Sequence, residues 1–306
     1  MTPTISRRSL LSGGAAALAL GALTGCSQDK AATGSSDAGT TAAAKPVILV
    51  TSFGTSYNAS RHITIGAIED AVRETYGRDY DVRRAFTSQI IIDKLKERDG
   101  IEIDNVEEAL DRAKADGVET VIVQPTHLMA GLEYADIQDE LDKRSDDFKQ
   151  IALGEPLLAS DADYQAVANA IVEQRANLDD GATAFVLMGH GTTADSNSDY
   201  TTMQQSFAAL GKKQFFVGTV EAKPTCEDVI AAVQAAGYAK AVLSPFMVVA
   251  GDHATNDMAD ASDPDSWVSR FSAAGIETTC LLEGLGQYSA IDDIYVDHVA
   301  TAIETL

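Results

Sequence analysis

Positive charge is scarce in this chain: 23 Lys and Arg stand against 46 Asp and Glu, for a formal net charge of -23 at neutral pH. That balance argues against recognition of DNA, RNA or an anionic lipid surface through charge, and is compatible with gathering metal cations. Cysteine is nearly absent, with three residues, Cys26, Cys226 and Cys280, so a disulfide framework is not what holds the fold. Local zinc-finger spacing and an H-E-x-x-H helix are missing, as are a P-loop, a strand-linked G-x-G-x-x-G and a G-x-S-x-G elbow. Nucleotide and esterase chemistry therefore lack sequence support.

Long apolar runs are also missing. The one near the start, Gly13 to Leu23, is too short to span a bilayer permanently. It follows Arg7 and Arg8 in Ser6-Arg-Arg-Ser-Leu-Leu11 and ends in Leu23-Thr-Gly-Cys26, the pattern of a twin-arginine export signal closed by a lipoprotein cleavage box. Residues 1–25 are expected to be removed and Cys26 to carry lipid, so the membrane is met through the anchor alone. Loss of Arg7 and Arg8, the charged side chains before Cys26, takes the net charge to -25. Residues 26–45 have no aromatic residue and no apolar period, which predicts a flexible tether. About 260 residues remain for the folded part.

That part alternates short apolar runs with helical patterns, the signature of βαβ units and parallel sheets. Strands are expected at Val47–Thr51, Tyr80–Ala85, Thr120–Gln124 and Ile151–Gly154, with helices at Ile63–Tyr76, Val106–Ala115, Ala135–Arg144 and Tyr164–Asn177. The pattern then restarts, with strands at Ala184–Met188, Phe215–Val220, Ala241–Ser244 and Glu277–Leu282 and helices beginning near Thr201, Cys226, Ser266 and Ile291. Val50-Thr-Ser-Phe-Gly-Thr-Ser56 lines up with Leu187-Met-Gly-His-Gly-Thr-Thr193, and Gly117 to Pro125 with Gly237 to Pro245. Two matched segments in the same order predict a duplicated unit: two similar α/β lobes, each with a central parallel sheet, over residues 46–180 and 181–306.

Ligands of open parallel sheets gather at the carboxyl ends of the strands. Three candidate metal ligands fall there in the second half: His190 in Gly189-His-Gly191, Glu221 after Val220, and His253 in Gly251-Asp-His253. Two imidazoles and a carboxylate suit a borderline divalent ion such as cobalt, nickel, iron or zinc. At the matching positions the first half carries Phe53 and Glu133, and a rough register sets Thr87 against Glu221, so one half has a site that the other lacks. His127, after a strand in the first half, is a candidate for the cleft wall. Thr55, Ser56 and Arg84 are candidates for carboxylates of a ligand, with an ion-pair role open for Arg84. Asn256 and Asp257 fit either a helix cap or ligand contact. His62 and His298 lie in helical patterns and are expected at the surface.

From Lys45 onward the chain resembles the anaerobic sirohydrochlorin cobaltochelatases, class II chelatases related to ferrochelatase. The resemblance rests on Ser52-Phe-Gly-Thr-Ser-Tyr57, Arg84-Ala-Phe-Thr-Ser88, Arg98-Asp-Gly100, Met188-Gly-His-Gly191, Val220-Glu221 and, above all, Ala250-Gly-Asp-His-Ala-Thr-Asn-Asp-Met-Ala259 with Ser266-Trp267 behind it. It implies that His190, Glu221 and His253 bind a divalent metal substrate, Co2+ first and Fe2+, Ni2+ or Zn2+ after it, for insertion into a tetrapyrrole. Two other readings stay open: a metal-binding lipoprotein that feeds an importer, and a tetrapyrrole or haem carrier on the chelatase fold. The lobe-to-lobe location of the ligands separates the first from a chelatase, since an importer's ligands come from both lobes. Whether the chain forms a homo-oligomer is not written in it.

Overall fold

The computed structural model describes residues 44–306; the expected signal, Cys26 and all but the end of the tether lie outside the described residues. Residues 44–306 form one compact unit. Its strands are β1 (Val47–Ser52), β2 (Asp81–Phe86), β3 (Thr120–Pro125), β4 (Gln150–Leu153), β5 (Thr183–Gly189), β6 (Phe215–Thr219), β7 (Lys240–Pro245) and β8 (Glu277–Cys280). They build two four-stranded parallel sheets, ordered β2-β1-β3-β4 and β6-β5-β7-β8. The orders are identical once the second is renumbered, as duplication requires. The central strands β1 and β5 are buried along their whole length, which is why they read as unbroken apolar runs rather than alternating ones.

The helices of the first half are α1 (Asn58–Ile63), α2 (Ile65–Tyr76), α3 (Gln89–Asp99), α4 (Val106–Ala115), α5 (Leu132–Lys143) and α6 (Asp161–Arg175). Those of the second are α7 (Ser198–Ala209), α8 (Cys226–Ala235), α9 (Trp267–Ala273) and α10 (Ser289–Glu304). The helices α4 and α8 follow equivalent strands and open with the same device, a capping box: Asn105 with Glu108, and Thr225 with Asp228. Two helical features were not foreseen. The expected helix Ile63–Tyr76 is preceded by α1 and begins only after a break at Thr64, and α3 is an extra helix of the first half. Its run Gln89-Ile-Ile-Ile has little helical period; Ile92 and Leu95 are buried while Ile90 is 79% exposed.

The two sheets share one core. Ile48, Val50 and Ile122 of the first belong to the same buried cluster as Phe185, Leu187 and Val242 of the second, with Tyr295 of α10 among them. The strands divide near residue 180, but α10 packs on α2 and β3 of the first half. Tyr295 Oη donates to the Thr126 carbonyl at 3.0 Å, and Tyr76 Oη to the Val296 carbonyl at 3.1 Å. His298, expected at the surface, is buried here, set between the Glu155 carbonyl and the Asp163 carboxylate at 3.2 and 3.3 Å. A single histidine in an amphipathic pattern gives no sign of which face it takes, and α10 has little polar face to spare. Cys226 and Cys280 are both free thiols whose pKa burial raises, Cys226 to about 11.

Candidate metal centre

The carboxyl ends of the central strands of both sheets open into one cleft of about 520 Å³. On the second-half side, β5 ends at Gly189 and delivers His190; β6 ends at Thr219, two residues before Glu221; the chain after β7 carries His253. Ligand atoms of these three side chains all lie within 4.8 Å of one another. His190 Nε2 is 3.8 Å from Glu221 Oε1, and the two imidazole rings stand edge to face with centroids 4.6 Å apart. Donors about 2.1 Å from a shared ion can be at most about 4.2 Å apart, a limit that the His190–Glu221 pair already meets.

Hydrogen bonds fix both imidazoles in the form a metal needs. His190 Nδ1 lies 2.8 Å from the Gly191 carbonyl, and His253 Nδ1 lies 2.6 Å from Asp257 Oδ2. A carbonyl or a carboxylate can only accept, so Nδ1 carries the proton in each ring and Nε2 keeps its lone pair. Asp257 thereby finds a use as the orienting partner of His253, one helical turn on. Gly191 makes the first contact possible: it sits at φ +91, and a Cβ there would be 2.8 Å from the Ala222 nitrogen. Gly189 is held equally tightly, since a Cβ would reach 2.1 Å from the ring of Tyr200, whose hydroxyl accepts the Gly191 N–H at 3.1 Å. Burial raises the pKa of Tyr200, keeping it a neutral prop under the loop.

The first half supplies the opposite wall. Thr55 and Ser56 are buried residues of the Gly54–Tyr57 loop that line the cleft. Tyr57 Oη reaches across to Asp252 Oδ1 at 3.3 Å, joining that loop to the one that bears His253. His127 also lines the cleft, but both ring nitrogens are buried and without a partner. Burial pushes its pKa down to about 4, outweighing the upward pull of Glu133. Arg84 does not join the cleft wall. It forms a two-pronged pair with Glu69, Nε to Oε1 and Nη2 to Oε2 at 2.6 Å each, so its ion-pair reading holds. The rough register also needs a one-residue correction. Ser88 N donates to the Phe53 carbonyl as Glu221 N donates to the His190 carbonyl, so Ser88, not Thr87, is the counterpart of Glu221.

Residues missed in the sequence are Tyr57, Asp252, Tyr200 and Arg98. The last had a signal, since Arg98-Asp-Gly100 stood out as a motif without a role. Arg98 Nη2 donates to the Ser56 carbonyl at 2.6 Å and Asn58 Nδ2 donates to Asp99 at 3.1 Å, so the motif clamps the cleft loop from behind.

These features define a two-lobed chelatase-type α/β protein with an open histidine–carboxylate set beside its interlobe cleft. The fold is shared with SirB from Bacillus subtilis solved with Fe3+ (TM-score 0.60, 14% identity, 86% of this chain and 97% of that one). A SirB from the subspecies spizizenii, in complex with cobalt, gives a TM-score of 0.58 at 13% identity over the same shares. Residues 46–304 match the cobalt chelatase (CbiK) family, and the chain belongs to it. It is 39% identical over 259 residues to the sirohydrochlorin cobaltochelatase of Salmonella typhimurium, covering 85% of this chain and 97% of that protein. To the sirohydrochlorin cobaltochelatase CbiKC of Nitratidesulfovibrio vulgaris it is 33% identical over 270 residues, covering 86% and 92%.

Proposed function

We propose that this protein is a sirohydrochlorin cobaltochelatase that inserts Co2+ into a sirohydrochlorin-type tetrapyrrole, with release of the two pyrrole N–H protons. The observation that carries the reading is the triad itself: two imidazole Nε2 lone pairs and a carboxylate converge at the rim of a cleft built from both lobes. His190 and Glu221 are exposed and His253 is half-buried, so the metal stays accessible to a second set of donors. Three protein ligands leave at least one coordination position to water or to a pyrrole nitrogen. Glu221 offsets metal charge as water is stripped away. His190, once the metal moves to the macrocycle, has a freed Nε2 that accepts one of the displaced protons. Fe2+ and Ni2+ fit the same donors, and Zn2+ does too; Co2+ is preferred because the similar enzymes carry cobalt in their names.

The same proposal includes location. Arg7, Arg8 and the Leu23-Thr-Gly-Cys26 box support export and lipidation of Cys26 on the outer face of the cytoplasmic membrane. Mass spectrometry of the native protein should find a lipid-modified Cys26 terminus, and Cys26→Ser should release the protein or stop its processing. An intact Met1 would refute export.

The activity test is spectroscopic. Purified protein is incubated with sirohydrochlorin and Co2+, Fe2+ or Ni2+ while the absorption spectrum is followed. The native protein should metallate the macrocycle, and His190→Ala and His253→Ala should lose insertion and metal binding together, with His62→Ala as the unaffected control. Normal insertion by the two alanine variants would remove the mechanism. Metal binding without any metallation by the native protein would favour a metal-carrying lipoprotein instead.

A further inference from the structure

The turn that carries His253 belongs to the second half but is held from both. Its inward side chains, Ala254 and Met258, are fully buried in the second-half core. The chain leading to it is held by the first half: Val249 packs against the cluster of Ile65, Phe86, Ile92 and Leu95, and Gly251 passes so close to Thr55 that a Cβ there would lie 3.4 Å from Thr55 Oγ1. Two side-chain bonds, each spanning four residues, run side by side along the turn. Asn256 Nδ2 donates to Asp252 Oδ1 at 3.0 Å, and His253 Nδ1 to Asp257 Oδ2 at 2.6 Å. Tyr57 Oη, from the opposite wall, donates to the same Asp252 oxygen at 3.3 Å. This tie runs in one direction only. Main-chain pairing sets Phe53 against His190 and Thr126 against Phe246, and Gly54 and Gly191 share a positive φ of +98 and +91. Counting on from there, Tyr57 answers to Ala194, Asp252 to Leu132 and Asp257 to Ile137. The reverse tie, from Ala194 to Leu132, has no polar group to form with, and Ile137 offers no acceptor.

We infer that Tyr57 is a positioning residue for the metal set: its hydroxyl, acting through Asp252, holds the His253 turn in place from the half that supplies none of the three ligands. This rests on the metal reading of the triad and adds what sets the strength with which the ion is held. Asp252 and His253 are adjacent, so the tie lies one peptide from the imidazole. Residues Ala254–Met258 wind as a single π-helical turn, and no regular helix continues it to fix its direction, since α9 begins only at Trp267. Side-chain bonds therefore carry much of its rigidity. Tyr57 is itself fixed, because Arg98 and Arg61 hold the Ser56 and Thr55 carbonyls and Tyr57 N donates to Thr55 Oγ1 at 3.2 Å. A donor on a loop already ordered loses little entropy when it bonds, so a single hydroxyl can orient its acceptor. The direct orienting partner of a metal-binding imidazole sets affinity strongly, and a tie one step further out sets it by less.

The test measures Co2+ affinity by chelator competition with no tetrapyrrole present, together with the ligand-field absorption of the bound ion. Tyr57→Phe keeps the ring and removes only the hydroxyl. Its Co2+ affinity should fall about fivefold, the size of one hydrogen bond to a carboxylate at the surface, and the Co2+ bands should shift. Asp252→Ala should lose at least as much, and adding Tyr57→Phe to it should cost nothing more, because the two groups make one tie. An unchanged thermal melt of the metal-free proteins verifies the fold. Native-like Co2+ affinity in Tyr57→Phe would overturn the inference, as would losses that add in the double variant. Insertion that fails in Tyr57→Phe while Co2+ affinity and bands stay native would also overturn it, since the hydroxyl would then act on the tetrapyrrole and not on the turn. If the native protein itself binds no Co2+, the metal reading of the triad falls, and this inference with it.

Discussion

Replacing His127 by Met puts a definite number on a buried imidazole. Met stands at the equivalent place in the other half, Met247, and is close in volume. Burial lowers the His127 pKa from 6.5 to about 4, because neither ring nitrogen has a partner that would stabilise a charge. The sign follows directly. Above about pH 6.5 the ring is neutral in folded and unfolded chains alike and contributes nothing to the pH slope. Below that, the unfolded chain takes up a proton that the folded one refuses, so stability falls as pH falls, until about pH 4. At about 1.36 kcal/mol per unit the whole displacement is worth about 3 kcal/mol, of which about 2 kcal/mol is lost between about pH 7 and pH 5. Urea unfolding of native and His127→Met proteins at those two pH values isolates this group, because every other titration is common to both. The native protein should lose about 2 kcal/mol relative to the variant on going from the higher pH to the lower. A difference constant to within about 0.5 kcal/mol would show that His127 charges freely in the fold and that its burial is not what the structure implies.

Three further outcomes test other parts of the molecule. Asp257→Asn removes the acceptor that orients His253, and Co2+ affinity measured by chelator competition should fall about 10- to 100-fold with the fold intact; unchanged affinity would deny Asp257 that role. Arg84→Ala leaves the buried Glu69 carboxylate without its pair and should cost about 3 kcal/mol in urea unfolding, whereas Arg84→Met with Glu69→Leu should recover most of it. Burial pushes the Asp292 pKa up to about 7, with Asp293 adding to the effect, so the folded state prefers the neutral acid and loses stability as pH rises from about 4 through 7. Asp292→Asn should therefore raise the melting temperature by a few degrees near pH 8 and by much less near pH 4; equal shifts at both would contradict the assignment.

The sheets were legible because their central strands are buried on both faces. Val47-Ile-Leu-Val50 and Ala184-Phe-Val-Leu-Met188 can hardly be anything but central strands, and the glycines that follow mark where each one turns. Matching the two halves predicted two similar lobes with β1 and β5 as equivalent central strands, as the sheet orders have it. The same matching concealed α3, which has no counterpart: after β6 the chain runs from Glu221 to α8 in four residues, whereas after β2 it makes a whole helix before α4. Duplication predicts what is repeated and is silent on what one copy added. The rough register also missed by one residue at Thr87, where the edge strand β2 is half exposed and gives little pattern to fix it.

At the site, strand-end histidines within glycine-rich loops carried enough signal to pick out His190 and His253, which the fold brings together with Glu221, since backbone that must turn tightly beside an imidazole has few sequence solutions. Their supports were harder to read. Arg98 lies more than forty positions from Ser56, and nothing in a helix that ends Lys-Glu-Arg-Asp says that one of its charges grips a distant carbonyl rather than water. Yet that contact is what gives the inserted helix a purpose. Arg98 holds the Ser56 carbonyl, Arg61 the Thr55 carbonyl at 3.3 Å, and both reach Asn58 Oδ1. The loop so fixed passes Tyr57 to Asp252, next to His253. One half thus carries the histidine–carboxylate set, while the other uses its extra helix to stiffen a loop of the same cleft.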